Sequence, residues 1–430
     1  MTSGGVDSLV LLNLFIQLKE SHNISLIIFH VNYMLHENSN LMEQVCLSNA
    51  KSNNLKILIS KCDKNLFNNK NIESKARNYR YEKAVEVSKD LNVNYVLTAH
   101  HEDDQIETIY MAEKNNSSWV SKIGIRSNLT LYNDNKNKVE LIRPLLNVSK
   151  KQILAYAKQN KITYVEDPTN KEVRYKRNKV RFLIKDRIDN ESFRNYYLNI
   201  SKINQNKINE LSQEINQKYL DIIKASQYKK ICILDKQKLI FENFDFIYLF
   251  VKKVLNETFG YKNNLSTKMW ISLTDYFKGS NTGKSYIIDH LEFSKNDNDI
   301  YVYDKNSDIK NNKIDSLGNY FFSLGCISIG IDDKFNFFKN KEGICVPYEF
   351  MSELRIDNWS HGDKCRIKNK KYTKISDIFI NNKLSLFHKK NYPILKHNDN
   401  IIWIPNLYCS KIENIDKFKS YLILRWNINL

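Results

Sequence analysis

Apolar positions in the first two hundred residues recur in two alternating patterns. Helical spacing extends from Leu9 to about Ser21, and the apolar run ISLIIFHVN follows at Ile24 to Asn32, where β-branched residues favour a buried strand. The alternation continues with helical patterns at 38–53, 72–91 and 149–160 and with apolar runs at 55–60, 93–100 and 140–146. Strands that alternate with helices of this length predict a doubly wound parallel sheet, covered on both faces, in an α/β domain over residues 1–205.

The pattern changes after residue 205. Helical patterns fill most of 206–280, and residues 285–304 are typical of a hairpin around the polar sequence KNDND. A segment rich in Asn, Lys and Asp, DKNSDIKNNKID, then precedes several short apolar runs. We therefore predict a mainly helical substrate-binding domain over 206–310 and a small α+β domain over 311–430.

Composition and charge indicate which kinds of partner, location and metal site to expect for this chain. The 430 residues include 66 Lys and Arg against 48 Asp and Glu, a formal net charge of +18, which favours a polyanionic partner over a general bias towards Lys. No window reaches the roughly 18 uninterrupted apolar residues of a membrane span, and no basic segment precedes LVLLNLFIQL. We expect an unexported, cytoplasmic protein with no membrane association. The seven cysteines form no CxxC pair, which argues against a zinc or iron–sulfur site.

A pair of glycines stands ahead of the first helical pattern. Gly4 and Gly5 permit positive φ and close backbone approach, and hydroxyl and carboxylate side chains flank them just before the helix. Such a loop is typical of an anion-binding site. Its candidate residues are Ser3, Gly4, Gly5, Val6, Asp7 and Ser8.

Two further polar clusters follow predicted strands, HVNYMLH at His30 to His36 and TAHHEDDQIET at Thr98 to Thr108. Open parallel sheets bind ligands beyond the carboxyl ends of their strands, so we expect these clusters and the opening loop to meet in one crevice. Asp104 and Glu107 share a helical face through their i, i+3 spacing. The residues alone leave three roles open for these carboxylates: capping the helix, binding Mg²⁺, or binding a substrate ammonium group. Zinc is disfavoured because no third ligand stands at a matched spacing.

Several motifs resemble those of a known enzyme family. SGGVDS is similar to the pyrophosphate loop of the N-type ATP pyrophosphatases, which split ATP between its α- and β-phosphates. Together with HVN, ARNYRY, LTAHHEDDQIET, IRPLL, EDPTN and RNKVR, in that order over the first 200 residues, it resembles the tRNA(Ile)-lysidine synthetase family. The C-terminal stretch HGDKCRIKNKKYTKISDIF resembles the final domain of the same family.

The resemblance implies a Rossmann-like pyrophosphatase fold and a specific reaction. ATP adenylates oxygen 2 of the wobble cytidine in the CAU anticodon of tRNA(Ile), and the ε-amine of free L-lysine then displaces AMP to give lysidine. The opening loop would bind ATP, with Asp7 holding Mg²⁺, while Asp104 and Glu107 would form the lysine pocket. These three are the expected catalytic residues. The arginines expected to contact tRNA or the nucleotide are Arg77, Arg80, Arg143, Arg177 and Arg181.

The C-terminal domain carries a basic segment with an aromatic residue. DKCRIKNKKYTK places six Lys or Arg residues within Asp363 to Lys374 beside Tyr372, a mixture suited to phosphate contacts with one stacking partner. We expect this segment to bind the acceptor stem of the tRNA, against the alternative of a solvated charged face. A second copy of the chain is a further candidate partner.

The sequence departs from the family at three places. No apolar strand precedes SGGVDS, although in the family this loop follows the first, central strand, so the expectation is a misassigned start or a shortened chain with weaker ATP binding. Tyr33 and His36 stand where the family usually has His and Arg. MAEKNNSSWVSKIGI, which retains only Gly124, replaces a glycine-rich stretch. The last two departures predict an altered anticodon pocket.

Other functions share the opening loop. A tRNA thiolase is the nearest alternative enzyme, although the absence of a CxxC pair weighs against the iron–sulfur type. Argininosuccinate and GMP synthetases also use this loop, but no signature of a glutaminase nucleophile is visible. From a different class, a degenerate RNA-binding protein without ATP chemistry is the alternative that the lack of a leading strand would allow.

Overall fold

The computed structural model describes residues 1–34, 37–62, 72–134, 137–166, 176–226, 228, 231–263, 265–305, 312–338, 341–366 and 372–428. The chain divides into two compact units, Met1–Asn209 and Glu210–Leu430. The division into three domains stays a prediction. In the described parts of the chain, no helix is both long and apolar enough to cross a membrane.

The first unit is the α/β domain that the alternating pattern predicts. Its helices are α1 (Val6–Ser21), α2 (Ser39–Ser52), α3 (Ile72–Asp90), α4 (Glu102–Lys114), α5 (Lys150–Gln159), α6 (Lys176–Ile184) and α7 (Glu191–Ile222), the last of which continues past residue 209. Its strands are β1 (Ile27–Asn32), β2 (Lys56–Lys61), β3 (Tyr95–Leu97), β4 (Asn128–Asn133) and β5 (Lys138–Ile142). Strand β1 pairs in parallel with β2, and β3 pairs in parallel with β5, which confirms the parallel α/β architecture.

Strand β4 is an element of this unit, like helix α6, that the hydrophobic pattern did not predict. It pairs antiparallel with β5 at the edge of the sheet, with Leu129 opposite Leu141. Most of its side chains are exposed or half-buried, so no apolar run marks the strand in the sequence. An antiparallel edge strand on a parallel sheet is a common variation of this architecture.

An apolar cavity of about 600 Å³ separates β1 from β3. The described residues form two sheets here, β1 with β2 and β3 with β5 and β4. Met1 and Thr2 bridge them, because the Met1 amino group donates to the Leu97 carbonyl oxygen at 2.8 Å and the Thr2 amide donates to the Phe29 carbonyl oxygen at 2.9 Å. Burial lowers the pKa of the Met1 amino group to about 5. These backbone bonds fix the start of the opening loop between the two sheets.

Helix α1 is apolar on opposite faces because it is buried from two sides. Val10 packs against Ile153 of α5. Leu9, on another face of the helix, packs against Ile28 of β1. This double burial holds the N-terminus of α1, and with it the loop that precedes the helix.

The second unit combines helices with antiparallel sheets. Its helices are α8 (Lys236–Ile240), α9 (Phe244–Phe259), α10 (Thr267–Lys278), α11 (Ile375–Asn381) and α12 (Leu386–Asn391). Its strands are β6 (Ile223–Lys224), β7 (Ile231–Asp235), β8 (Tyr286–Ile288), β9 (Leu291–Lys295), β10 (Asp299–Asp304), β11 (Asn312–Lys313), β12 (Gly318–Phe322), β13 (Gly325–Asp332), β14 (Gly343–Pro347), β15 (Leu354–Asp357), β16 (Lys364–Arg366), β17 (Tyr372–Lys374), β18 (Ile394–His397), β19 (Asn400–Ile404), β20 (Tyr408–Cys409) and β21 (Tyr421–Asn427).

The predicted hairpin of this unit is present as β9 and β10, which pair antiparallel. It belongs to a larger sheet in the order β6-β7-β10-β9-β8, of which the sequence pattern did not predict β6 and β7. Aromatic residues on this sheet join the C-terminal apolar core, because the Tyr301 ring of β10 stacks on Phe387 of α12 with centroids 4.8 Å apart. Residues on both sides of position 310 therefore share one core.

Candidate active site

The opening loop depends on glycine at one of its two positions. Gly4 has a φ of +88°, and a Cβ there would lie 2.9 Å from both the Cβ and the carbonyl oxygen of Met42 in α2. Its own carbonyl oxygen accepts a hydrogen bond from the Val165 amide at 3.1 Å. Gly5, by contrast, has a φ of −82° as the N-cap of α1, a conformation that any residue adopts. The predicted need for close backbone approach therefore holds for Gly4.

Serine hydroxyls close the loop on itself. Ser8 Oγ donates to the Gly5 carbonyl oxygen at 2.9 Å and accepts from the Ser3 amide at 3.0 Å. The first hydrogen bond within α1 connects the Leu9 amide to the Gly5 carbonyl oxygen, so the amides ahead of Leu9 have no acceptor in the helix. These are the groups that an α-helix offers to an anion.

The N-termini of α4 and α5 lie beside that of α1. Lys150, the first residue of α5, donates from its amide to Asp103 Oδ1 in the first turn of α4 at 3.2 Å. His101, the N-cap of α4, places Nε2 at 3.9 Å from Asp7 Oδ1 in the first turn of α1. Three helix N-termini converge on one region, and their dipoles favour negative charge there.

The predicted acidic pair meets two of the predicted arginines. Glu107 Oε2 accepts from Arg177 Nε at 2.9 Å, and Glu107 Oε1 accepts from Arg181 Nε at 2.7 Å. Asp104 Oδ1 accepts from a terminal nitrogen of Arg177 at 3.1 Å and of Arg181 at 3.2 Å. Asp104 is 7% exposed and Glu107 is 4% exposed, and carboxylates so deeply buried require charged partners. The acidic pair and the two arginines form one cluster of four charges.

Asp104 of this cluster and the nearby His100 both have pKa values well below their ordinary ones. Burial raises the pKa of Asp104, but the charges of His101 and Arg177 outweigh it and hold that pKa at about 2. Asp104 Oδ2 also accepts from the His101 amide at 3.0 Å, so this carboxylate caps α4 as well as pairing with arginine. Burial lowers the pKa of His100 to about 3, so this side chain is neutral at pH 7.

The remaining carboxylates of TAHHEDDQIET stabilise the fold. Arg194 of α7 donates to Asp103 Oδ1 at 2.8 Å and, from Nε, to Glu102 Oε1 at 3.0 Å. These ion pairs tie the first turn of α4 to α7. No motif in the sequence marks Arg194, and the unbalanced run of carboxylates on α4 is the one signal that a basic partner is needed.

A cleft of about 790 Å³ joins these features. The opening loop and the first turns of α4 line it, together with Arg77 and Arg80 of α3 and Tyr33 after β1. The three polar clusters therefore line one cleft, as predicted. Among the described residues, buried Arg80 Nε has no hydrogen-bond partner within the protein.

Other candidate residues make contacts within the fold around the cleft. Arg143, at the end of β5, is 9% exposed, and one of its terminal nitrogens donates to the Arg126 carbonyl oxygen at 2.6 Å. In HVN, His30 Nδ1 lies 2.8 Å from the Thr2 carbonyl oxygen. Asn32 of the same strand donates to Glu43 Oε2 at 2.7 Å.

Gln105 was not predicted as a site residue, yet it organises the stretch that replaces the family's glycine-rich segment. Its Nε2 donates to Ser201 Oγ at 2.8 Å, and its Oε1 accepts from the Ile125 amide at 2.5 Å. Gly124 has a φ of +79°, and a Cβ there would lie 2.6 Å from Gln105 Oε1. A side chain at position 124 would therefore clash with Gln105, which explains why this stretch retains Gly124.

The basic segment of the second unit is an antiparallel hairpin. Lys364 of β16 lies opposite Lys374 of β17 in register, and both are exposed, as is Arg366. Some predicted residues lie outside the described ranges. These are His36, residues 167–170 of EDPTN, and Lys368, Lys370 and Lys371 of the basic segment.

The described residues include no group of three or more His, Cys, Asp or Glu side chains suited to a metal. A divalent cation at this site would therefore need ligands from the substrate as well as from the protein. Mg²⁺ is often held by one or two carboxylates together with the phosphates of a substrate. Asp7, at the first turn of α1 in the phosphate-type loop, fits that mode. Asp104 and Glu107 do not, because each is buried and bonds to two arginines, whereas Asp7 is 31% exposed and pairs with Lys150.

Comparison with known proteins identifies the family. Residues 1–188 match the model of the PP-loop domain. The tRNA(Ile)-lysidine synthase of Mesomycoplasma hyopneumoniae is 32% identical over 279 residues, which cover 62% of this chain and 86% of the relative. The synthase of the same name from Buchnera aphidicola is 27% identical over 99% of this chain and 94% of the relative. That of Mesoplasma florum is 34% identical, and the matched region spans half of each chain. The chain belongs to the tRNA(Ile)-lysidine synthase family, with a PP-loop domain at its N-terminal end.

Proposed function

We propose that this chain ligates free L-lysine to carbon 2 of the wobble cytidine in the CAU anticodon of tRNA(Ile), with ATP as the activating substrate. ATP adenylates oxygen 2 of the cytidine, and the lysine ε-amine then displaces AMP. The product, lysidine, pairs with adenosine, so the codon read changes from AUG to AUA. One observation carries this proposal: an anion-binding loop at three converging helix N-termini opens into the same 790 Å³ cleft as a buried acidic pair.

The loop supports the first half of the reaction. The amides ahead of Leu9 and the converging helix dipoles favour the phosphates of ATP in a fixed orientation. The fixed donors stabilise the negative charge that grows on departing pyrophosphate. Asp7 is the residue that would hold Mg²⁺ here, and when bound the ion would offset part of the same charge.

The acidic pair supports the second half of the reaction. Asp104 and Glu107 are already paired with Arg177 and Arg181, so a lysine ammonium group would compete with these guanidinium groups for the carboxylate oxygens. The displaced arginine then has an alternative partner in the phosphates of the tRNA. Because its pKa is about 2, Asp104 is suited to binding an ammonium group and is a weak proton acceptor.

Recognition of the tRNA rests on two basic surfaces. Arg77 and Arg80 line the cleft from α3, where they would contact the anticodon loop. The exposed hairpin of β16 and β17 supplies phosphate contacts elsewhere on the tRNA. The cytoplasmic location and the homodimer stay predictions from the sequence.

A thiolase function is the second candidate among enzymes with this loop. Six of the seven cysteines are buried and the seventh, Cys409, is half-buried. None of them is among the residues that line the cleft. Burial raises the pKa of Cys46 to about 12, which keeps this thiol protonated and unreactive. The structure therefore offers no observation that favours sulfur transfer.

The experiment is AMP formation by the purified chain with transcripts of tRNA(Ile) carrying a CAU or a GAU anticodon. We expect AMP to appear with the CAU transcript, and turnover to require free lysine. AMP formation that responds to a sulfur donor and not to lysine would indicate a thiolase. Binding of the transcript without AMP would indicate an RNA-binding protein that lacks the chemistry.

A further inference from the structure

Lys150 contacts the opening loop although no motif includes it. Its ammonium nitrogen lies 2.5 Å from Asp7 Oδ1, between residues 143 positions apart in the chain. Lys150 is the first residue of α5, directly after the N-cap Ser149. The only signal in the sequence is a lysine in the first turn of the helix that follows IRPLL.

The pair is placed for ligand binding more than for stability. The Lys150 and Asp7 side chains are 33% and 31% exposed, and an ion pair so open to solvent adds little to folding. A cation at a helix N-terminus also opposes the helix dipole, so this position is unfavourable unless an anion comes close. Both side chains line the 790 Å³ cleft beside Ser3, Gly5 and Ser8.

We propose that Lys150 is a ligand for the β- and γ-phosphates of ATP, and that Asp7 keeps its ammonium group over the loop until these phosphates arrive. This inference rests on the proposed function for the identity of the nucleotide. In the adenylation step, cytidine oxygen 2 forms a bond to the α-phosphorus. The bond from that phosphorus to the β-phosphate's bridging oxygen breaks, and its electron pair leaves with pyrophosphate. Lys150 would stabilise the charge that develops on this leaving group.

The other basic residues of the cleft are placed for different contacts. Arg177 and Arg181 each bond to both Asp104 and Glu107 of α4. Lys150 instead contacts the first turn of α1, where the amides ahead of Leu9 point to the same space. An arriving polyphosphate would meet these amides and the Lys150 ammonium group together, and would release the Asp7 carboxylate.

The test uses inorganic pyrophosphate and AMP as separate probes, titrated calorimetrically into the full chain in metal-free buffer. We expect Lys150→Met to weaken pyrophosphate binding roughly tenfold to a hundredfold and to change AMP binding by less than about twofold, because AMP lacks the β- and γ-phosphates. Lys150→Arg should retain most of the affinity. Lys151→Met, one position further and exposed, is the matched control and should change neither.

Asp7→Asn separates ligand binding from a structural ion pair. It removes the partner of Lys150 and leaves the ammonium group free, so pyrophosphate binding should persist or tighten. Equal weakening by Asp7→Asn and Lys150→Met would show a structural brace and overturn the inference. Three other results would also overturn it: no pyrophosphate binding by the parent chain, normal pyrophosphate binding by Lys150→Met, or an equal loss of AMP and pyrophosphate affinity in Lys150→Met.

These titrations do not depend on lysidine formation. A chain that binds pyrophosphate through Lys150 but forms no lysidine would contradict the proposed function and leave this inference standing. If the parent chain forms lysidine but Lys150→Met binds pyrophosphate as the parent does, the proposed function stands and this inference fails. Thermal melting of each variant checks that it is folded before it is titrated.

Discussion

Arg181 donates from Nε to Glu107 Oε1 at 2.7 Å, on a carboxylate that is 4% exposed. This carboxylate, which we assigned from the sequence to the substrate ammonium group together with Asp104, therefore already pairs with two protein cations. A guanidinium and an ammonium group compete for the same oxygen atoms, and the arginine's release depends on another anion that can receive it. This competition links lysine binding to the arrival of a polyanion.

Glu107→Gln tests the lysine pocket. The substitution keeps the shape of the side chain and removes its charge, so we expect the KM for lysine to rise roughly tenfold to a hundredfold and the KM for ATP to change by less than about twofold. Steady-state kinetics with each substrate varied in turn measures both constants. Glu113→Gln is the control, since Glu113 lies on the same helix but bonds to Tyr196 and Tyr197. A parallel rise in both constants would instead assign the carboxylates to the fold.

Asp7→Ala tests the phosphate end of the site. We expect ATP–pyrophosphate exchange to be abolished while affinity for tRNA stays nearly unchanged, because Asp7 would act on the leaving group and makes no contact with RNA in the proposed arrangement. Filter binding measures the tRNA affinity in the same preparation. Exchange at the parental rate would remove Asp7 from the mechanism.

Gly4→Ala and Gly5→Ala separate the two glycines of the loop. Alanine at position 4 combines a positive φ with a clash against Met42, which together cost about 2 to 4 kcal/mol of unfolding free energy. Alanine at position 5 replaces an N-cap glycine in an ordinary conformation and costs about 1 kcal/mol or less. Urea denaturation compares the two variants. Equal destabilisation would show that the close approach to α2 is not maintained in solution.

His100 predicts how stability depends on pH. Its folded pKa is about 3, so between that value and its unfolded pKa of roughly 6.5 the unfolded chain binds the extra proton and stability rises with pH. From pH 7 to pH 5 this one side chain should remove about 2 kcal/mol of stability, and His100→Asn should lose correspondingly less over the same interval. Chemical denaturation at several pH values measures the difference. His22→Asn, at an exposed position, should follow the parent, and an unchanged pH profile in His100→Asn would contradict the burial of His100.

The exposed hairpin predicts the salt dependence of tRNA binding. Neutralising Lys364, Arg366 and Lys374 together should lower the slope of log affinity against log salt by roughly 0.7 to 0.9 for each phosphate that the hairpin no longer neutralises. Point substitutions are preferable to truncation near residue 310, because truncation would remove Phe387 from the Tyr301 ring. Neutralising the exposed lysines at 262, 268 and 278 is the matched control. Equal slopes in the two triple variants would assign the hairpin's charge to a solvated face.

The sequence predicts the parallel α/β unit well because its strands are buried apolar runs and its helices have clear periodicity. It does not predict β4, whose side chains are mostly exposed, or the joining of β6 and β7 to the predicted hairpin, which depends on pairing between distant segments. The motifs place Asp104, Glu107, Arg177 and Arg181 in the site, but spacing along the chain cannot show that they neutralise one another. Lys150 was missed for the same reason, since its partner Asp7 is far away in sequence.

Lysidine formation is measured most directly by digesting the reacted tRNA(Ile) transcript to nucleosides and analysing them by mass spectrometry. With ATP, Mg²⁺ and isotopically labelled lysine, one cytidine per tRNA should be replaced by a nucleoside that carries the whole labelled lysine. Asp7→Ala should give none. If the cytidine stays unmodified although the parent chain is folded and binds the transcript, the proposed function is contradicted. A sulfur-containing nucleoside would instead indicate that the chain is a thiolase.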